Sequence, residues 1–422
     1  MRESSILKVC ARQVLDSRGK PTVEASVTTS QGVFTSIVPS GASTGVHEAV
    51  ELRDGGKRFC GAGVLKAVAN VNGVIARKVK GLNCVNQREI DSVLIEADGT
   101  NDKHKLGANA LLAVSLAVAR AGAAAENKPL FLYLAELSGR KPVMPLPLLN
   151  FINGGKHAGR ENDFQEHMIV PLGAKSFSEA LWWSAEVFCE LKKKVLKKFG
   201  YQGALVADEG GFAPPLSLPE ERFDLLLSAI EEAGHAKKIF LAVDCAASEF
   251  FCEGKYFFRN KKRSSGELID YYSELVSTYP LALIEDGLAE DDWSGWKELM
   301  DKLGNKVQVV GDDLLTTNPA RIKKAVVEQA ANSLLLKVNQ IGTLSEALDA
   351  ARAAFSAGWR VIVSHRSGET EDSFIADLAV GIGAEQTKFG SVARGERTAK
   401  YNRLLRIEEE LGSKTIFSKM FS

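Results

Sequence analysis

In the second half of the chain, short apolar runs stop abruptly at charged or polar residues. IFLAV at 239–243 leads into Asp244, LALI at 281–284 into Glu285, VQVV at 307–310 into Gly311 and Asp312, and SLLL at 333–336 into Lys337. A fifth run, VIV at 361–363, leads into Ser364, His365 and Arg366. The intervals between them carry apolar residues at helical spacing. Strand and helix in alternation predict a β/α barrel, whose chemistry gathers where the strands end. The first third reads differently. ILKVCARQVL, TVEASVTT and GVFTSIV, within residues 6–38, read as three strands with turns at Ser17-Arg18-Gly19 and Gln31-Gly32. From about 63 to 137 the spacing turns helical, which predicts an α+β module. Pro142, Pro145 and Pro147 mark the boundary, since proline disfavours helix at the residue before it. The expected division is 1–138 and 139–422. Within the second part, Pro219 opens a helix closed by Gly234, Asn318-Pro319 opens another, and Thr343 with Glu346 has capping-box spacing.

At 422 residues the chain is long enough for two or three domains and a large core. Lys plus Arg and Asp plus Glu both total 53, so net charge gives no pull toward nucleic acid or an anionic membrane. The basic run at 191–200 alternates with Leu191, Val195 and Phe199, as on the solvated face of a helix. Six cysteines, at 10, 60, 84, 189, 245 and 252, form no C-x-x-C pair and predict reduced, mostly buried thiols. The N-terminus has no apolar signal core, and ALLAVSLAVA at 110–119 stops at Arg120, too short to span a bilayer. The expectation is a soluble, cytoplasmic protein without membrane insertion.

The strand-end residues change this picture from a fold to a chemistry. Asp244, Glu285 and Asp312 on one rim would repel one another without a cation. Oxygen donors without paired Cys or His point to Mg²⁺ and away from zinc. Lys337 follows three leucines, so burial favours its neutral amine and a role as base. A permanent ion pair with one of the three acids fits the spacing as well. In Val206–Pro214, written VADEGGFAP, the adjacent Asp208 and Glu209 disfavour double ionisation, which leaves one of them a proton to donate. The two glycines after them let the backbone approach a ligand. The stretch from Asn153 through His157 to Gln165 and Glu166 adds a histidine and another acid. Arg366 between hydroxyls suits a phosphate or carboxylate.

Several long segments together resemble the enolase family. They are VLDSRGKPTVE, VPSGASTGVHEAVELRDG, NFINGGKHAG, QEHMIVP, DEGGFAP, VDCAASEF, LIEDGLAEDDW, VGDDLLTTNPARI, LLLKVNQIGTLSEAL, VIVSHRSGETED and NRLLRIEEELG, and they cover nearly the whole chain. The resemblance implies an α/β fold: an enolase-type β/α barrel, TIM-like with a modified start, preceded by an α+β domain of three strands and several helices. It implies a lyase that reversibly dehydrates 2-phospho-D-glycerate to phosphoenolpyruvate. By the same resemblance Lys337 is the general base, and Glu209 the general acid, supported by Glu166 and Asp208. Asp244, Glu285 and Asp312 are implied as ligands of one Mg²⁺, and Ser43 as a ligand of a second that binds with substrate. His157, Gln165, Glu166, Lys337, His365, Arg366, Ser367 and Lys388 match substrate-binding positions, Arg366 and Ser367 facing the phosphate. A homodimer is implied, with octamers in some members, and binding roles at a cell surface or in assemblies are known for enolases. The chain departs from the family pattern at Ala207, His167, Gly287, Gly395 and the polar stretch 160–164, where His167 replaces a usual Phe. A barrel relative acting on another acid and a catalytically silent binding protein are the competing readings.

Overall fold

The computed structural model describes residues 4–41 and 45–419. Near the N-terminus, β1 (Lys8–Leu15), β2 (Pro21–Thr29) and β3 (Gly32–Ile37) form an antiparallel meander in that order. Alternation along β2 puts Val23, Ala25 and Val27 on one face, fully buried. Against that face lies the helix Ala108–Ala125, whose alanines, leucines and valines are buried along almost its whole length. It runs straight through Arg120, where the apolar run was expected to stop. The guanidinium of Arg120 makes two bonds to Asp372, one at 2.6 Å and one at 2.9 Å, so its charge is neutralised within the fold. This helix alone, among the described residues, is long and apolar enough to cross a membrane, and 83% of it is buried inside the protein.

The rest of the chain closes a barrel. Its first strands are β4 (Leu146–Asn153), β5 (Glu166–Val170) and β6 (Phe240–Asp244). A small three-stranded sheet follows, β7 (Phe251–Cys252), β8 (Lys255–Phe258) and β9 (Lys261–Arg263). Then come β10 (Leu281–Glu285), β11 (Gln308–Gly311), β12 (Ser333–Leu336), β13 (Arg360–Ser364) and β14 (Gln386–Lys388). The closed order is β10-β11-β12-β13-β14-β4-β5-β6. Only β5 is reversed, antiparallel to both β4 and β6, which is the modified start. Side chains such as Leu148, Met168, Ala242, Val310, Leu335 and Ile362 fill the interior, so the barrel is a packed core that leaves room for a site at its rim.

Helix punctuation follows the expected chemistry. Asn318 caps its helix by accepting from Ala320 N at 2.9 Å, and Pro219 occupies a first-turn position. Thr343 Oγ1 accepts from Glu346 N, while the Glu346 carboxylate turns to the Thr343 hydroxyl at 2.7 Å. The cysteines depart from expectation. Cys84 and Cys245 are buried and Cys10 partly so, but Cys60, Cys189 and Cys252 are exposed. Phe188, beside Cys189, stacks inward on Phe212, and the next helical position therefore points outward.

Candidate active site

Six elements deliver the site to one rim. Asp244 and Glu285 end β6 and β10, Lys388 ends β14, and Asp312, Lys337 and His365 immediately follow β11, β12 and β13. Glu166 reaches the same rim by another route. Because β5 runs backwards, its first residue pairs with Asp244 at the open end. A polar cavity at this rim is lined by Asp244, Asp312, Lys337 and Lys388 on one side and by His157, Gln165, Glu166 and Glu209 on the other. His365, Arg366 and Ser367 complete it, and Glu285 lies fully buried beneath.

On the first side, positive and negative charges interlock. Lys388 Nζ lies 3.1 Å from Asp244 Oδ2, 2.8 Å from Glu285 Oε1 and 3.3 Å from Glu166 Oε1. Burial opposes its charge, but Asp244 and then Glu166 and Glu285 hold the ammonium well above its usual range. Burial, and then Asp244, push Glu285 well up. Lys337 Nζ is bonded to Asp312 Oδ2. Burial alone would favour the neutral amine, as the leucines before it suggested, yet Asp312 outweighs burial and holds Lys337 up. The contact itself is that of the ion-pair alternative.

The second side is built from turns. Glu209 accepts from Asn150 Nδ2 at 3.0 Å and from Ser367 Oγ at 2.9 Å. His157 Nδ1 sits 3.7 Å from both Glu166 Oε1 and Glu209 Oε1. Burial and then the Glu209 charge push Glu166 well up. Burial would raise Glu209 too, but His157, Arg397 and Lys388 together hold it well down. The two carboxyls of this pair are thus pushed in opposite directions, Glu166 toward its protonated form and Glu209 toward its charged one. Asp208 does not crowd Glu209 as its place in sequence suggested, because its side chain is exposed while Glu209 is buried. The glycines after them also serve another purpose. A Cβ on Gly210, at φ +86°, would meet Ala393 O at 2.5 Å, and one on Gly211 would meet Asn153 Oδ1 at 2.6 Å. They let the turn pack against β4 and the 391–393 segment.

Arg366 faces Glu48, with Nη1 2.8 Å from Oε2 and Nη2 3.2 Å from Oε1. Ser367 Oγ is 3.2 Å from His157 Nε2. Ser43, the expected ligand of a second cation, lies outside the described residues. Gln165 Oε1, Glu166 Oε2, His157 Nδ1, His365 Nε2 and Glu285 Oε2 are buried without a hydrogen-bond partner. Such atoms are costly unless something else satisfies them, and all but Glu285 belong to residues of the cavity wall.

The enolase N-terminal domain profile matches residues 6–134, and that of the enolase C-terminal TIM barrel domain matches 141–421. The enolase of Pyrococcus furiosus is 55% identical over 417 residues, covering 98% of this chain and 96% of that protein. The enolase of Methanocaldococcus jannaschii is 54% identical over 408 residues, covering 96% of each. The chain belongs to the enolase family. It is accordingly an enzyme, a lyase.

The donors present fit the cation that the enolase family implies. Asp244 and Glu285 are close enough to share one ammonium, and Glu285 keeps a second oxygen buried and unpartnered. An all-oxygen set of this kind suits a hard ion such as Mg²⁺. Asp286 forms a tighter acidic cluster with Asp312 and Asp313. Asp286 spends both oxygens on the backbone N–H groups of Asp312 and Asp313, at 2.9 and 2.8 Å, and so fixes where Asp312 points. Sequence reasoning overlooked Asp286, Glu48 and Arg397. Asp286 could have been found from its place directly after a strand-end acid. The other two carry no local signal, since each meets the site across a long stretch of chain.

Proposed function

We propose that this chain catalyses the reversible, Mg²⁺-dependent dehydration of 2-phospho-D-glycerate to phosphoenolpyruvate in glycolysis and gluconeogenesis. The observation that carries this reading is the placement of base and acid. Lys337 follows β12 and Glu166 begins β5, four strands apart in the closed order of eight and so across the barrel, with Glu209 beside Glu166. Elimination needs this separation, because the proton leaves C2 while hydroxide leaves C3. Lys337 Nζ takes the C2 proton, the C2 electron pair forms the C2=C3 bond, and Glu209 gives a proton to the departing hydroxide to make water. Asp244, Glu285 and Asp312 would hold one Mg²⁺ and Ser43 would help hold a second, and these ions supply positive charge for the substrate carboxylate as C2 loses its proton. Lys388 adds a fixed positive charge to the same wall.

Two residues must change partners for this to run. His157 is the strongest of the groups holding Glu209 down. Moving it onto the substrate phosphate removes that pull and favours the protonated form of Glu209 that an acid needs. Asp312 must loosen its hold on the Lys337 ammonium before Lys337 can act as base, and a cation held by Asp312 would supply the competing charge. Arg366 and Ser367 receive the phosphate, His365 Nε2 offers a donor to a substrate oxygen, and Gln165 Oε1 offers an acceptor to a substrate hydroxyl. We further place the domain boundary at 138/139 and read the working form as a cytoplasmic homodimer, with an octamer as the alternative that light scattering separates. The decisive assay follows phosphoenolpyruvate absorbance. It rises from 2-phosphoglycerate with Mg²⁺ and stops with EDTA; a folded preparation with no such signal overturns the reading. A panel of unphosphorylated sugar acids, read by exchange of the α-hydrogen with D₂O and by loss of substrate, tests the competing barrel-relative reading.

A further inference from the structure

Arg397 is fully buried, on the first turn of the helix Gly395–Leu411. A cation there opposes the helix dipole and incurs a desolvation cost, so its presence calls for a compensating role. Its two terminal nitrogens make four hydrogen bonds. Nη1 donates to Arg366 O at 2.7 Å and reaches His365 Nδ1 at 2.7 Å. Nη2 donates to Asp208 O at 2.8 Å and to Ser367 O at 2.6 Å. One guanidinium therefore ties the turn that carries Glu209 to the segment that carries His365, Arg366 and Ser367. The packing is close. A Cβ on Gly390 would meet Arg397 Cδ at 2.9 Å, His365 Cε1 at 3.0 Å and Glu209 O at 2.7 Å, so nothing larger than glycine fits between them.

The bond to His365 has a chemical consequence. A guanidinium has only donors, so the nitrogen facing it must carry a lone pair. His365 Nδ1 is thereby unprotonated, and the ring proton sits on Nε2. That Nε2–H is buried without a partner, 3.8 Å from Glu209 Oε2. We propose that Arg397 is a positioning residue for the dehydration: it fixes His365 as the neutral Nε2–H tautomer, aims that donor into the cavity beside Glu209, and locks the Asp208-Glu209 turn to the Ser367 segment. The proposal rests on the reading of Glu209 as the acid, but the tautomer does not depend on it. Burial, with Arg397, Lys388 and Lys337 nearby, also holds His365 well below its usual range, against the pull of Glu209. The ring therefore stays neutral while it donates.

The test uses the Mg²⁺-loaded full chain labelled with ¹⁵N-histidine, whose six histidines are few enough to assign by substitution. In the wild type, multiple-bond ¹⁵N–¹H spectra near neutral pH show His365 with a proton on Nε2 and none on Nδ1. A proton on Nδ1, or an imidazolium, overturns the proposal whether or not the protein dehydrates 2-phosphoglycerate. In Arg397→Gln the His365 pattern changes and kcat falls about a hundredfold, the cost of a small misplacement, while KM moves much less. Arg397→Lys keeps the charge and one donor and recovers part of the wild-type spectrum and rate. Variants that fold, bind substrate and keep both the spectrum and kcat overturn the proposal. If neither variant folds, the wild-type spectrum alone decides. A wild type with the stated tautomer and no phosphoenolpyruvate production leaves the tautomer standing and sinks the proposed reaction instead.

Discussion

The two sides of the cavity are made differently. The side with Asp244, Glu285, Asp312 and Lys337 comes from the ends of consecutive parallel strands, each registered on the next by backbone hydrogen bonds. The side with His157 and Glu209 comes from loops, with Glu166 supplied by the one reversed strand. Strand ends cannot move without breaking the barrel, whereas loops can, provided side chains pin them when required. The proposed base and ligands therefore sit on the rigid half, and the proposed acid on the adjustable half. The largest effect should come from the rigid half. Lys337→Ala is expected to lower kcat by roughly 10⁴-fold, the upper range for a general base. Circular dichroism should stay unchanged, and no deuterium should enter at C2 of substrate held in D₂O. A variant that retains most activity removes Lys337 from the mechanism.

Glu209→Gln breaks the other side and should leave a different trace. Overall turnover falls by roughly 10²- to 10⁴-fold. Lys337 and the strand-end acids are untouched, however, so exchange of the C2 hydrogen with D₂O continues at a rate above net turnover. Loss of exchange and turnover together would mean that the two sides do not act as separate base and acid.

The same contrast explains what could be read along the chain. Apolar runs ending in Asp244, Glu285, Asp312 and Lys337 are visible because a parallel strand always delivers its last residue to the rim. Glu166 breaks that rule, since the reversed β5 delivers its first residue, ahead of the apolar run. The order of strands also leaves no mark in any local pattern. Asp208 and Glu209 look equivalent in sequence, yet one faces water and the other the cavity, a difference set by packing against β4. The Lys337 charge depends on Asp312 outweighing burial, a balance of magnitudes that spacing cannot supply. The long matched segments carried the roles of Glu209 and Ser43, which periodicity does not reach.

The adjustable half is pinned within the polar stretch 160–164. Asp163, in the polar stretch after His157, meets the fully buried Arg222, with Nη1 2.9 Å from Oδ1 and Nη2 bonded to Oδ2. Arg222 Nη2 also donates to Leu216 O at 2.7 Å. Arg222→Met removes the cation and leaves a nearly buried carboxylate unpaired. That change is expected to cost about 3–5 kcal/mol in urea denaturation. Adding Asp163→Asn should recover much of the loss, because the orphaned charge goes with it. If the double variant is no more stable than the single one, the pair is not what anchors the His157 loop.

The smallest expected effect concerns pH and begins one residue from Glu166. His167 is fully buried on β5, its ring 5.1 Å from that of Phe223, with neither nitrogen hydrogen-bonded. Burial, and then the Arg222 charge with that of Arg160, push its pKa well below the usual 6.5. The folded chain therefore refuses a proton that the unfolded chain accepts near 6.5. Folding stability contributed by the neutral ring is complete above that pH and is lost as pH falls below it. The slope approaches about 1.4 kcal/mol per pH unit until the folded-state value is reached. His167→Phe restores the residue usual in enolases and removes only this group's share of the slope. Denaturation midpoints of variant and wild type should run nearly parallel between about pH 7 and 8 and separate below about pH 6.5, with the variant more stable. Parallel curves throughout would show that His167 takes up its proton inside the fold. In that case the strand bearing Glu166 is less dry than its packing indicates, and the raised affinity of Glu166 for a proton would have to come from Glu209 more than from burial.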